Sequence, residues 1–281
     1  MPVRAPLALL RKGPVWRLVF AAVLAPVPAF AHDFWVEPEP AKVEGPTEVV
    51  VRLKVGHLDE VKEYERIPDR IRSLVHFAPT STQAADVPGR AGEKPAGRIR
   101  VRAPGVHMVA YRSAHAFIEM SAPAFDDYLE HEGLTKVLAE RRRRDAGDAR
   151  EAYARYCKAL IRVGDGDRGL GRRLGWPIEL VAEPGLYGDS ETIGFLLEFR
   201  GEPLAGARVD LMRLDDLREA RTATTDAEGR VRFARPRGGR WMAATTHMET
   251  APASLEAPPG TKVDPGPVDY ESFWATLSFG L

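Results

Sequence analysis

Apolar and polar positions alternate most clearly in two parts of the chain. Val49, Val51, Leu53 and Val55 are interleaved with Val50, Arg52 and Lys54, which predicts a half-buried strand ending at Gly56-His57. Further on, strands are predicted over 192–199, 207–214, 220–224, 230–233 and 240–248, with a closing strand over 273–279. Turn sequences such as Gly201-Glu202-Pro203, Asp226-Ala227-Glu228-Gly229 and Arg237-Gly238-Gly239 separate them. That spacing belongs to an antiparallel sandwich. Shorter extended pieces are read at 74–77, 98–102, 106–111 and 176–180. In the third, His107 shares a face with Val109 and Tyr111 and opposes Val106, Met108 and Ala110. Residues 59–70 read as charged and irregular, and 79–97 as a loop rich in Pro and Gly.

The period changes after Ser121-Ala122-Pro123. Phe125, Leu129, Leu134, Val137 and Leu138 fall at helical spacing, and Gly133 divides the segment into short pieces. The basic run 141–144 reads as a solvated helix face. Asp148 is expected to cap a further helix whose apolar stripe is Tyr153, Tyr156, Cys157 and Leu160. The loop Gly164-Asp165-Gly166-Asp167 lacks the bidentate glutamate of a calcium loop, Gly175 standing near that position, so it reads as a linker. The expected fold is therefore mainly β, with two sandwich-like domains. The first covers 32–120 and carries a helical insertion at 121–162; after a linker at 163–183, a transthyretin- or immunoglobulin-like sandwich covers 184–281.

Residues 1–31 change the picture, because they carry the marks of a cleavable secretory signal. Arg4, Arg11, Lys12 and Arg17 precede an apolar run over 18–24, and Ala29-Phe30-Ala31 supplies small residues at −3 and −1. The apolar run is too short and too broken by proline to span a bilayer. Export to the periplasm is the expected destination, and the mature protein is not expected to be membrane-spanning. The full chain has 40 basic and 40 acidic residues; without the four bases of the signal, 36 face 40, a formal charge of −4. That balance argues against nucleic acid as a partner. One cysteine, Cys157, excludes an intrachain disulfide and a thiolate metal cluster.

Cleavage after Ala31 would make His32 the first residue, giving one residue an amine and an imidazole. These can close a chelate ring on nickel, cobalt, copper or zinc. The other histidines are His57, His76, His107, His115, His131 and His247, and none is within helical i,i+4 reach of another. His57, His107 and His247 lie on strands or at strand ends, so only the fold could bring them to His32 as metal ligands. No nucleophile motif or phosphate loop is present, and an enzyme is not expected.

The opening Ala31-His32-Asp33-Phe34-Trp35-Val36-Glu37-Pro38 resembles the mature start of exported proteins grouped with the periplasmic components of cobalt and nickel uptake systems, the NikM-like proteins. Further matches follow in order: Phe125-Asp126-Asp127-Tyr128-Leu129 with Glu132-Gly133-Leu134, the segment 153–160, Thr225-Asp226-Ala227-Glu228-Gly229-Arg230, and His247-Met248. The resemblance implies a two-part exported β-rich protein that binds nickel or cobalt at its amino terminus, with a membrane transporter as partner. In related nickel proteins the histidine stands second rather than first, and those chains continue into membrane-spanning helices. A metal-free scaffold or adhesion module fits the sandwich pattern equally. A copper oxidase built on a histidine brace is the remaining alternative, and only His32 speaks for it.

Overall fold

The computed structural model describes Met1 and residues 33–57 and 60–281; apart from Met1, the signal expected over 1–31, and with it the expected terminus His32, lies outside the described residues. From Asp33 onward the described chain forms one compact unit. It is mainly β and packed as sandwiches, as the alternation predicts.

Three layers organise it. One outer sheet takes β1 (Asp33–Glu39), β2 (Thr47–His57) and β3 (Glu60–Tyr64), with β5 (Gly97–Val101) pairing with the first half of β2 on the side opposite β1. The central sheet contains β4 (Ile71–Phe77), β6 (Gly105–Ser113), β7 (Ala116–Met120), β8 (Ala149–Val163), β11 (Arg208–Arg213), β12 (Asp216–Thr224), β14 (Arg240–Thr250) and β15 (Tyr270–Gly280). Its main path runs β12-β11-β14-β15-β8-β6-β4, and it is ten-stranded with the two-residue pieces Lys42–Val43 and Ala85–Asp86. The second outer sheet takes β9 (Ile178–Ala182), β10 (Thr192–Phe199) and β13 (Arg230–Ala234).

The central sheet is covered on both faces over much of its area. Val49, Val51, Leu53 and Ile99 from the first outer sheet pack with Val109, Cys157, Ala159 and Ile161 of the central one. On the other face Leu160, Phe273, Leu277 and Phe279 meet Ile178, Leu180, Phe195 and Phe233. Strands from both sides of residues 163–183 thus share one sheet, with β8 and β15 side by side and parallel. The expected linker itself contains β9.

Two helices, α1 (Ala122–His131) and α2 (Thr135–Arg144), occupy the segment where helical spacing begins, and Gly133 between them has φ +72°. The third expected helix is not one. Residues 149–163 form β8, and Asp148 caps α1 instead, accepting a hydrogen bond from the Ala122 N–H at 2.9 Å. Burial of β8 on both faces removes the alternation that marks a strand, and the apolar positions left look helical. Residues 60–64, expected to be irregular, pair with β2 as an edge strand. In the basic run, Arg141 is buried against the Phe125 ring and bonds Asp126, while Arg142 and Arg144 pair with acids of the helices.

Candidate functional site

The histidines do not converge. His107 is 2% exposed, and both its ring nitrogens are engaged: Nε2 faces Ala103 O at 2.9 Å, and Nδ1 faces His76 Nε2 at 2.9 Å. A carbonyl only accepts, so neutral His107 carries its proton on Nε2 and its Nδ1 accepts a hydrogen bond from His76 Nε2–H. The ring planes lie 12° apart with centroids 5.1 Å apart, the spacing of an edge-to-edge N–H···N contact. Burial lowers the pKa of both, that of His76 to about 4.

His247 packs on the rings of Phe199, with centroids 4.3 Å apart, and Phe273, and is only partly buried. His107 pairs with Ile161 on β8, and His247 pairs with Phe273, itself opposite Ala154 on β8. Three strand spacings across and seven residues along separate the two, roughly 14 Å and roughly 23 Å. They cannot ligate one ion. His57 ends β2, and its neighbour Gly56 pairs with Asp33; the His57 side chain lies outside the described residues. His115 meets Glu271 at 2.9 Å, at another edge of the molecule.

What the fold does bring together is acidic. Asp33 opens β1, Glu132 caps the C-terminus of α1, and Asp210 lies on β11; with Arg208, Thr246 and Trp274 they line one cavity of about 20 Å³. That is room for a water or an ion, not for an organic substrate. Thr246 Oγ1 donates to Glu132 Oε2 at 2.8 Å, and Arg208 Nε donates to Asp210 Oδ1 at 3.1 Å. A second Arg208 nitrogen bonds His131 O at 2.6 Å, which ties the end of α1 to the sheet. Thr246 and its neighbour His247 point to opposite faces of β14, so His247 faces away from this cavity.

Three carboxylates around one arginine repel each other. Burial, then the charge of Asp210, raises the pKa of Asp33 to about 7, against the pull of Arg155 and Arg208. Burial, then Asp33, raises that of Glu132 to about 8. Trp274 continues the network inward. Its indole N–H donates to Ser272 Oγ at 3.0 Å, Ser272 donates to Glu151 Oε1, and Tyr128 donates to the same oxygen at 3.1 Å.

Among the described residues no group of three or more His, Cys, Asp or Glu side chains is placed to hold a metal ion. Cys157 is no ligand either: it is buried, its thiol pushed up to about 12, and it donates to Phe34 O at 3.3 Å. Glu132, Asp210 and Arg208 escape a reading of the sequence, because they lie far apart along it and no spacing links them to Asp33. No helix among the described residues is long and apolar enough to cross a membrane.

The sequence profile of the DUF4198 family, described as a domain of unknown function, matches residues 29–249. No curated protein matches the chain.

Proposed function

The chain belongs to the DUF4198 family, and since that membership brings no activity with it, we propose from the site itself that this is an exported, periplasmic metal-binding protein. It serves nickel or cobalt uptake and takes the ion at its mature amino terminus. Removal of residues 1–31 frees the α-amine of His32, which stays within one Cα step, about 3.8 Å, of Asp33. The observation that carries the reading is the ion-sized cavity lined by Asp33, Glu132 and Asp210. Amine and imidazole nitrogens of His32 supply borderline donors suited to nickel or cobalt, and Asp33 and Glu132 supply carboxylate charge once a divalent ion displaces the protons that burial holds on them.

The ligand set differs from the one expected from strand positions. Glu132 and Asp33 take the place assigned to His247 and His107. His57 stays a candidate through the β1–β2 register, where Gly56 pairs with Asp33. Nothing here requires catalysis, and delivery to a membrane transporter follows from the NikM-like resemblance.

Calorimetric titration with nickel, cobalt, copper and zinc tests the reading on mature protein beginning at His32 and on a form carrying one extra residue ahead of it. Mature protein is expected to bind nickel or cobalt roughly tenfold or more tightly than the extended form, the scale of losing one chelating group. Equal weak binding by both forms overturns the terminal site and leaves the metal-free scaffold or adhesion module. Oxidation of a polysaccharide by copper-loaded protein would instead favour the histidine brace.

A further inference from the structure

A second cavity, of about 620 Å³, opens between β1, β6, β7 and β8 and the loop around Lys262. Its volume falls in the range of pockets that enclose small organic molecules, about 300–1,000 Å³. Phe34 forms part of its wall, with the Tyr111 ring 4.9 Å and the Tyr64 ring 5.6 Å from it. Tyr153 and Phe117 add two further partly buried rings.

Arg155 lies among these rings. Its guanidinium carbon is 5.1 Å from the Phe34 centroid and 5.0 Å from that of Tyr153. Stacking of this kind holds the plane of the guanidinium while leaving its N–H edge to face an acceptor. The Arg155 Nε is buried and has no hydrogen-bond partner. A buried donor on a cation is costly to leave unmatched. Arg70 and Lys262 stand exposed at the rim. Of the two acids lining the cavity, Glu119 is drawn to Arg150 at 3.8 Å, which leaves Asp69 facing the cavity, while Asp33 and Glu151 act on Arg155 from outside the lining.

We propose that this cavity binds a small flat organic carboxylate, with the anion on the Arg155 edge and the ring system between Tyr64, Tyr153 and Phe117. A carboxylate matches the Arg fork in a bidentate pair, and aromatic walls favour a planar body. The lining side chains are not those of the ion cavity, although the Arg155 charge also acts on Asp33; the comparison of acid with amide on the wild type leaves that charge in place and so fails or succeeds independently of the terminal metal site.

Titration of mature protein with 2-naphthoate, followed by calorimetry and by the tyrosine ring resonances, tests this. Saturable binding is expected, with shifts at Tyr64, Tyr111 and Tyr153. The neutral 2-naphthamide should bind roughly tenfold or more weakly, as should 2-naphthoate to Arg155→Gln, from loss of a charge-assisted pair. Phe117→Ala, at a partly exposed wall, should weaken acid and amide alike and guards against a folding defect in the arginine variant. Absence of saturable naphthoate binding, or equal affinity for acid and amide in the wild type, would overturn the proposal.

Discussion

Lys158, on the central strand β8, is 1% exposed, and its ammonium donates to the Glu179 carboxylate, itself 4% exposed. The pair is satisfied on every side. Lys158 Nζ also bonds Arg172 O and Leu180 O, each at 3.2 Å, while Glu179 accepts from the N–H groups of Leu174 and Trp176. Burial lowers the Lys158 pKa, and Glu179 counters that shift. The pair thereby fastens the irregular segment before β9 onto the central sheet.

Lys158→Met should cost about 3–5 kcal/mol, because it leaves a buried carboxylate without its cation. Adding Glu179→Gln should recover part of that loss. Urea unfolding of the wild type, both single variants and the double variant measures the coupling; independent, additive losses would show that the pair does not act as a unit.

Glu151 sets a pH dependence that can be signed. Its pKa is raised to about 7, mainly by burial and against the hydrogen bonds from Ser272 and Tyr128 and the charge of Arg155. The folded state therefore holds a proton that the unfolded chain releases near its ordinary value of 4.5. This contribution to stability is complete below that value and is lost as pH rises through about 7. Glu151→Gln keeps an acceptor for both hydroxyls and removes the titration. Melting should show the variant more stable than wild type at pH 8 and little changed at pH 5.

The His76–His107 pair acts in the opposite direction. Burial lowers both pKa values, so the unfolded chain binds protons that the folded one resists. Stability from this pair is present above the ordinary histidine value of 6.5 and is lost as pH falls toward about 4. His76→Gln should flatten the acid limb of a melting profile between those limits. An unchanged limb would place the acid sensitivity in other groups.

Metal binding separates the two ligand sets. Glu132→Gln is expected to weaken nickel binding roughly tenfold or more, whereas His247→Ala, on the opposite face of β14, should leave it unchanged. Calorimetry on the mature protein reads both. The reverse outcome would restore the histidine set expected from strand positions.

Strands whose other face meets water were legible in the sequence. β5 and β13 alternate buried and exposed residue by residue, and β2 nearly so, because one face is solvated and must be polar. β8 was illegible for the converse reason: covered on both faces, its apolar residues carry no period of two. The opening of the mature chain, with its histidine, could likewise be read directly, since a signal pattern is local. The company of Asp33 could not. Glu132 reaches it from a helix end and Asp210 from a strand on the far side of the central sheet's path, and only packing of β1 across that sheet makes them neighbours. His107 and His247, alike in sequence as strand histidines, were parted by strand order and by the alternation of faces. Local periodicity determined the elements by themselves; which charges meet was decided by the tertiary structure, because proximity between distant segments is a property of sheet order and register.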